Sequence, residues 1–103
     1  YALDVVRRSR GTAYAVPEEE VAEGIKLLAQ TEGIFTETAG GVVISTLRNI
    51  AKSGVVGVDE HIVALITGNG LKTQEAIEDV VDPITIDPSV DSFDANVMSK
   101  GLI

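Results

Sequence analysis

The run Ile62-Val63-Ala64-Leu65-Ile66-Thr67, followed at once by Gly68-Asn69-Gly70, decides the fold. Six uncharged, mostly β-branched residues in a row do not alternate between an apolar and a polar face. Strands that read this way are covered on both faces, as in the interior of a parallel sheet. The run stops on a glycine pair around asparagine, a loop that calls for a positive φ. A second short β-leaning stretch, Thr12-Ala13-Tyr14-Ala15-Val16, is closed by Pro17.

Helices fill the space between and around these stretches. Ala2 to Arg10 reads as a short helix with Asp4 in its first turn, arginines in its last and Gly11 as its stop. Pro17-Glu18-Glu19-Glu20 opens a second helix, with proline in the first turn and carboxylates near the positive end of the dipole. Val21, Ile25 and Leu28 form its apolar stripe, and Glu32-Gly33 ends it. From Ala39 to Ile44 there is no charge, and Leu47, Ile50 and Ala51 continue at helical spacing up to Ser53-Gly54. That helix is expected to be buried all round in its first half, with Arg48 and Lys52 outward in its second. Gly40 and Gly41 cost it roughly 1 kcal/mol each against alanine, so a close neighbour is expected at its backbone. A short helix over Thr73–Val80 and a last one over Ser92–Lys100 are also predicted, the latter with Phe93 and Val97 one turn apart. The fold class is therefore α/β: two or three strands of a parallel sheet flanked by helices. The interior of a sheet is present without the strands that would neighbour it.

Composition bounds the function. The chain has 103 residues, 45% of them hydrophobic, and a formal charge of −8. That charge argues against nucleic acid and anionic membrane, which reward Lys and Arg beside phosphate. No cysteine is present, so disulfides and thiolate metal sites are excluded. No apolar run approaches the ~20 residues of a membrane span. From Glu75 to Asp94 the chain carries seven carboxylates and no Lys or Arg, most simply a solvated acidic tail without EF-hand spacing. The chain opens on Tyr1 without an initiator Met, as expected of a fragment or a processed product.

Several local patterns fail as sites. Gly68-Asn69-Gly70-Leu71-Lys72-Thr73 begins like a dinucleotide fingerprint but has Thr73 where the third glycine belongs. Leu71 separates Gly70 from Lys72, which rules out a P-loop. His61 is the sole histidine and has neither a nucleophile nor co-ligands for zinc, so no metal site is expected.

Two segments taken together are more specific. Glu32-Gly33-Ile34-Phe35-Thr36-Glu37-Thr38-Ala39-Gly40-Gly41 and Leu65-Ile66-Thr67-Gly68-Asn69-Gly70-Leu71-Lys72-Thr73 resemble the two C-terminal signatures of the threonine synthase family. That family lies in the tryptophan-synthase-β-like group of pyridoxal-phosphate enzymes. The order of the signatures, their separation and the Val16-Pro17-Glu18-Glu19-Glu20 entry upstream match as well. The resemblance covers Tyr1 to Thr73, so residues 1–103 read as a single C-terminal part of a catalytic large domain, with 74–103 as its acidic tail. Thr38 stands where much of the family has Pro, and Asn69 where it has His; both bear on the branch within the family.

The resemblance implies a cytoplasmic, homo-oligomeric lyase of threonine biosynthesis. Such an enzyme converts O-phospho-L-homoserine and water to L-threonine and phosphate with pyridoxal 5'-phosphate. The family's cofactor lysine and phosphate-binding glycine loop are not among these residues. Lys26, Lys52, Lys72 and Lys100 lack the surroundings of that lysine, so no residue here is read as catalytic and the chain alone is expected to be inactive. The cofactor contacts implied are Thr67, facing the pyridine nitrogen, with Gly68 and Asn69 turning beside the ring. Gly40 and Gly41 would let a helix end approach it. Glu37 lies either near the ring or at the N-cap of the glycine-containing helix. The alternatives are a threonine dehydratase, a cysteate synthase or a stand-alone interaction module derived from such an enzyme. A dehydratase presents Ser where Thr67 stands. The reading frame upstream of Tyr1 separates enzyme from module.

Overall fold

The computed structural model describes residues 1–80 and 82–102. Val81 and Ile103, both in the acidic tail, lie outside that description. Four α-helices are present among the described residues: α1 (Ala2–Ser9), α2 (Glu18–Glu32), α3 (Thr38–Ser53) and α4 (Val90–Asn96). Short 3-10 turns occupy Gly70–Lys72, Gln74–Ile77 and Met98–Lys100. No helix among the described residues is long and apolar enough to cross a membrane.

The centre of the molecule is the antiparallel pair α2 and α3. Val21, Ile25 and Leu28, the stripe legible in the sequence, are its buried apolar residues. The glycines explain how close the pair comes. A methyl group on Gly24 would strike the carbonyl of Gly41, and one on Gly41 would meet the Val21 carbonyl oxygen and Ile25. The space beside Gly40 is taken by Thr36. The close neighbour expected at the α3 backbone is thus α2 together with Thr36. Ser45 completes the contact by donating from Oγ to the Glu20 carbonyl at 2.6 Å. At the rim, Asn49 Nδ2 donates to Glu20 Oε2 at 2.9 Å, and Arg48 lies 3.8 Å from the same carboxylate. Arg48 is therefore half-covered by α2, where the sequence pattern had it pointing outward.

The helix stops follow the sequence at two places. Gly33 (φ 67°) and Gly54 (φ 72°) take the left-handed conformation that ends α2 and α3. At α1 the reversal comes one residue early: Arg10 carries φ 58°, and the Gly11 N–H donates back to the Val6 carbonyl at 2.9 Å. The first half of α3 is not buried all round, because Val42 is 38% exposed. The predicted helix over Thr73–Val80 is only the 3-10 turn Gln74–Ile77, and the last one begins at Val90. Ser89 caps that helix, accepting from the Ser92 N–H at 3.2 Å.

The expected sheet is not seen among the described residues. Thr12–Val16 and Ile62–Thr67 form neither a helix nor a paired strand there. The one β-bridge among them is an isolated antiparallel pair, Thr36 with Asn69. A strand needs a neighbour for its N–H and C=O groups, and no bridge among the described residues joins these two stretches. Leu65 is 75% exposed and Val63 83%, where a doubly covered strand was expected. An apolar groove of about 260 Å³ runs between Ile62–Ala64 and the α3 face of Val42, Val43, Leu47 and Ile50. The whole chain is open in consequence. It exposes 7971 Å², against about 5,500 Å² for a folded monomer of this mass. Its radius of gyration is 18.3 Å, against about 13 Å for a compact domain of similar length.

Candidate functional site

The fold brings the two singled-out segments to one place, the amino end of α3. The Gly70 N–H donates to the Phe35 carbonyl at 3.2 Å, next to the Thr36–Asn69 bridge. A Cβ on Gly70 would collide with the Phe35 ring, so a glycine is required for this approach. Gly68 is the positive-φ residue of the loop, at 75°. A side chain there would run into the Glu37 carboxylate. The last residue of the extended run, Thr67, is thereby held beside the start of α3.

Glu37 combines the two roles left open by the sequence in an unexpected way. By position it is the N-cap of α3, and its carbonyl accepts from the N–H groups of Gly40 (2.9 Å) and Gly41 (3.2 Å). Its side chain makes no capping hydrogen bond. The carboxylate instead lies against Gly68, with Oε2 3.5 Å from Lys72 Nζ. Lys72 is 66% exposed and the Glu37 side chain only 20%, so a half-buried carboxylate is paired with a cation that reaches in from solvent.

Thr67 is exposed, and its neighbours Gly68 and Asn69 are exposed too. Asn69 spends its side-chain oxygen locally, accepting from the Leu71 N–H at 2.9 Å and so starting the Gly70–Lys72 turn. Gly40 and Gly41 are not open to a ligand, being covered by Thr36 and α2. Thr36 itself is fully buried, with no hydrogen-bond partner for Oγ1 among the described residues. No group of three His, Cys, Asp or Glu residues that could hold a metal forms among the described residues.

Three contributors at this place were not assigned from sequence. Thr36 was read only as part of a motif, Lys72 as an outlying lysine and Thr73 as a helix start. Thr73 Oγ1 in fact accepts from the Thr38 N–H at 3.2 Å, across 35 positions of sequence. A proline at 38 would lack that N–H, so the Thr38 departure noted above was the available signal.

A small site for one side of an aromatic cofactor is what these residues can make. It offers a free hydroxyl (Thr67), a turn without a side chain (Gly68) and a carboxylate already neutralised by an ammonium (Glu37 with Lys72). Neutral hydroxyl plus bare backbone suits a heteroaromatic nitrogen approached edge-on. Lys26, Lys52 and Lys100 are exposed elsewhere, and Lys72 is engaged by Glu37. The cofactor's nitrogen side therefore fits the residues present, while no lysine is disposed to hold its aldehyde.

Comparison with known proteins identifies the family. The family model for "Pyridoxal-phosphate dependent enzyme" matches residues 1–68. The threonine synthase of Methanocaldococcus jannaschii is 41% identical over 100 residues, 96% of this chain and 24% of that protein. That of Methanosarcina acetivorans is 36% identical over 100 residues, 96% of this chain and 25% of that protein. That of Halalkalibacterium halodurans is 34% identical over 90 residues, 87% of this chain and 25% of that protein. The chain spans about a quarter of the length of the relatives it matches.

Proposed function

Because the chain belongs to the family of pyridoxal-phosphate-dependent enzymes, we propose that it is the C-terminal part of a threonine synthase. Joined to the rest of that enzyme, it takes part in converting O-phospho-L-homoserine and water to L-threonine and phosphate. The observation that carries this reading is the meeting of residues 32–41 and 65–73 at Glu37 and Gly68, with the Thr67 hydroxyl left open beside them. The name shared by the relatives supplies the product, threonine, and the resemblance of the two segments supplies the substrate.

In the complete enzyme Ile62–Thr67 takes its place in a parallel sheet, between strands supplied by the remaining chain, giving the α/β architecture. Ligands of such sheets collect outside the carboxyl ends of the strands, which is where Thr67 stands. Pyridoxal phosphate supplies an electron sink for elimination and hydration at a substrate carbon. Thr67 offers the ring nitrogen a neutral hydrogen-bond partner, which tunes that sink more gently than a carboxylate would. Gly68 and Asn69 turn the backbone beside the ring, and the Glu37 carboxylate, balanced by Lys72, adds little net charge there. The reactive lysine and the phosphate loop belong to the part outside these residues. The enzyme is a cytoplasmic homo-oligomer in this reading.

The test is a pair of assays. The complete protein should release phosphate from O-phosphohomoserine and form threonine in equal amount. The 103-residue chain, given pyridoxal phosphate, should neither develop the absorbance band of lysine-bound cofactor nor release phosphate. Deamination of threonine by the complete protein, without phosphate release, would move the assignment to a dehydratase.

A further inference from the structure

We propose that Thr73 is a positioning residue: it caps α3 from outside and thereby locks the loop that carries Thr67. Three observations carry the inference. Helix α3 has no side-chain cap of its own, since the Glu37 carboxylate turns away to Gly68 and Lys72. The first N–H of the helix, that of Thr38, is instead satisfied by Thr73 Oγ1 at 3.2 Å, in a part-buried setting. And Thr73 is the last residue of the segment that begins at Thr67, directly after the Gly70–Lys72 turn.

The geometry gives the cap a second purpose. A cap from the adjacent residue would fix only the helix end. A cap donated from 35 positions away fixes two chain segments to each other. Between Thr67 and Thr73 the loop is held to the α3 entry at three points. These are the Phe35–Gly70 backbone bond, the Glu37–Lys72 ion pair and the Thr38–Thr73 bond. The ion pair is solvent-exposed on the lysine side and so contributes little. The backbone bond can be disturbed only by adding bulk, as a side chain at Gly70 would against Phe35. Thr73 is therefore the side chain whose hydrogen bond can be removed from this docking without adding volume. Undocking lowers the fraction of molecules with Thr67 in register, and apparent cofactor affinity falls by that fraction. Ser and Thr cap a helix nearly alike, whereas Val, of the same shape as Thr, cannot.

The inference rests on the reading of Thr67 given above, and the experiment separates the two. Thr73→Val, Thr73→Ser and Thr67→Val are made in the complete enzyme. For each, the pyridoxal-phosphate dissociation constant is measured, together with amide hydrogen exchange at Thr38 in the cofactor-free protein. Thr73→Val should weaken cofactor binding by about twofold to tenfold, the upper figure being the limit for one cap hydrogen bond, and Thr73→Ser should restore it. The Thr38 amide should exchange about tenfold faster in the valine variant alone. Unchanged cofactor affinity in Thr73→Val, with Thr67→Val impaired, overturns the positioning role and leaves Thr67 in place. Faster exchange at Thr38 with no change of affinity in any variant overturns both the positioning role and Thr67 as a contact. Unchanged exchange at Thr38 in Thr73→Val overturns the cap itself.

Discussion

The Glu37 carboxylate and the Lys72 ammonium lie 3.5 Å apart, with the carboxylate against the bare backbone at Gly68. They come from the two segments on which the assignment rests. Glu37 stands at the N-cap position, one of the two places expected of it, but its side chain does not cap, and a lysine not assigned to the site is its partner. The contact is possible only because Gly68 has no side chain.

Gly68→Ala should therefore be costly for two reasons. Its φ of 75° is strained for any residue with a Cβ, by about 1–2 kcal/mol, and the new methyl displaces the Glu37 carboxylate. Gly33→Ala, with similar φ but open space around it, bears only the first cost. In the complete enzyme the first variant should lose cofactor more readily than the second; equal retention would mean that the Glu37 contact is immaterial.

Gly41→Ala addresses the helix pair. Its methyl would meet the Val21 carbonyl oxygen and Ile25, so α2 and α3 must separate. Overpacking of this kind costs about 1–3 kcal/mol. The thermal midpoint of the complete enzyme should drop by several degrees, with more than that lost in a Gly24→Ala, Gly41→Ala double variant. A midpoint that does not move would show the interface to be slack.

Thr67→Val nearly keeps volume while deleting the hydroxyl. Turnover should fall about tenfold to a hundredfold, or roughly 1.4–2.7 kcal/mol, or the cofactor should be retained less well. Unaltered turnover together with an unaltered cofactor spectrum would remove Thr67 from the site.

The chain on its own should associate. Ile62, Val63 and Leu65 are exposed on an unpaired extended segment, and an unpaired apolar edge is a template for another chain. Light scattering across a dilution series is the check. A monomer at every concentration that unfolds cooperatively would show that the extended segment needs no partner.

What was legible in the sequence was local. The stripe of Val21, Ile25 and Leu28 and the stops at Gly33 and Gly54 are set within a few turns of helix, and they appear where the pattern puts them. The positive φ at Gly68 was legible for the same reason. Ile62–Thr67 reads as an interior strand but has no strand partner among the described residues, because a strand is completed by its neighbour, and composition reports the setting a segment suits without the partner that supplies it. Thr73 and Lys72 escaped notice because contacts across 35 positions leave no periodic trace. The recognition of two separated motifs as one site came from resemblance, and the meeting of Phe35 with Gly70 gives it a physical basis.

The openness of Ile62–Leu65 also has a cellular meaning. Chaperones and proteases act on whatever fraction of a protein has apolar segments within reach. In the proposed complete enzyme that fraction is the rare molecule in which this segment has come away from its neighbours. Attack at these residues would then report incomplete folding of the enzyme before any loss of its chemistry.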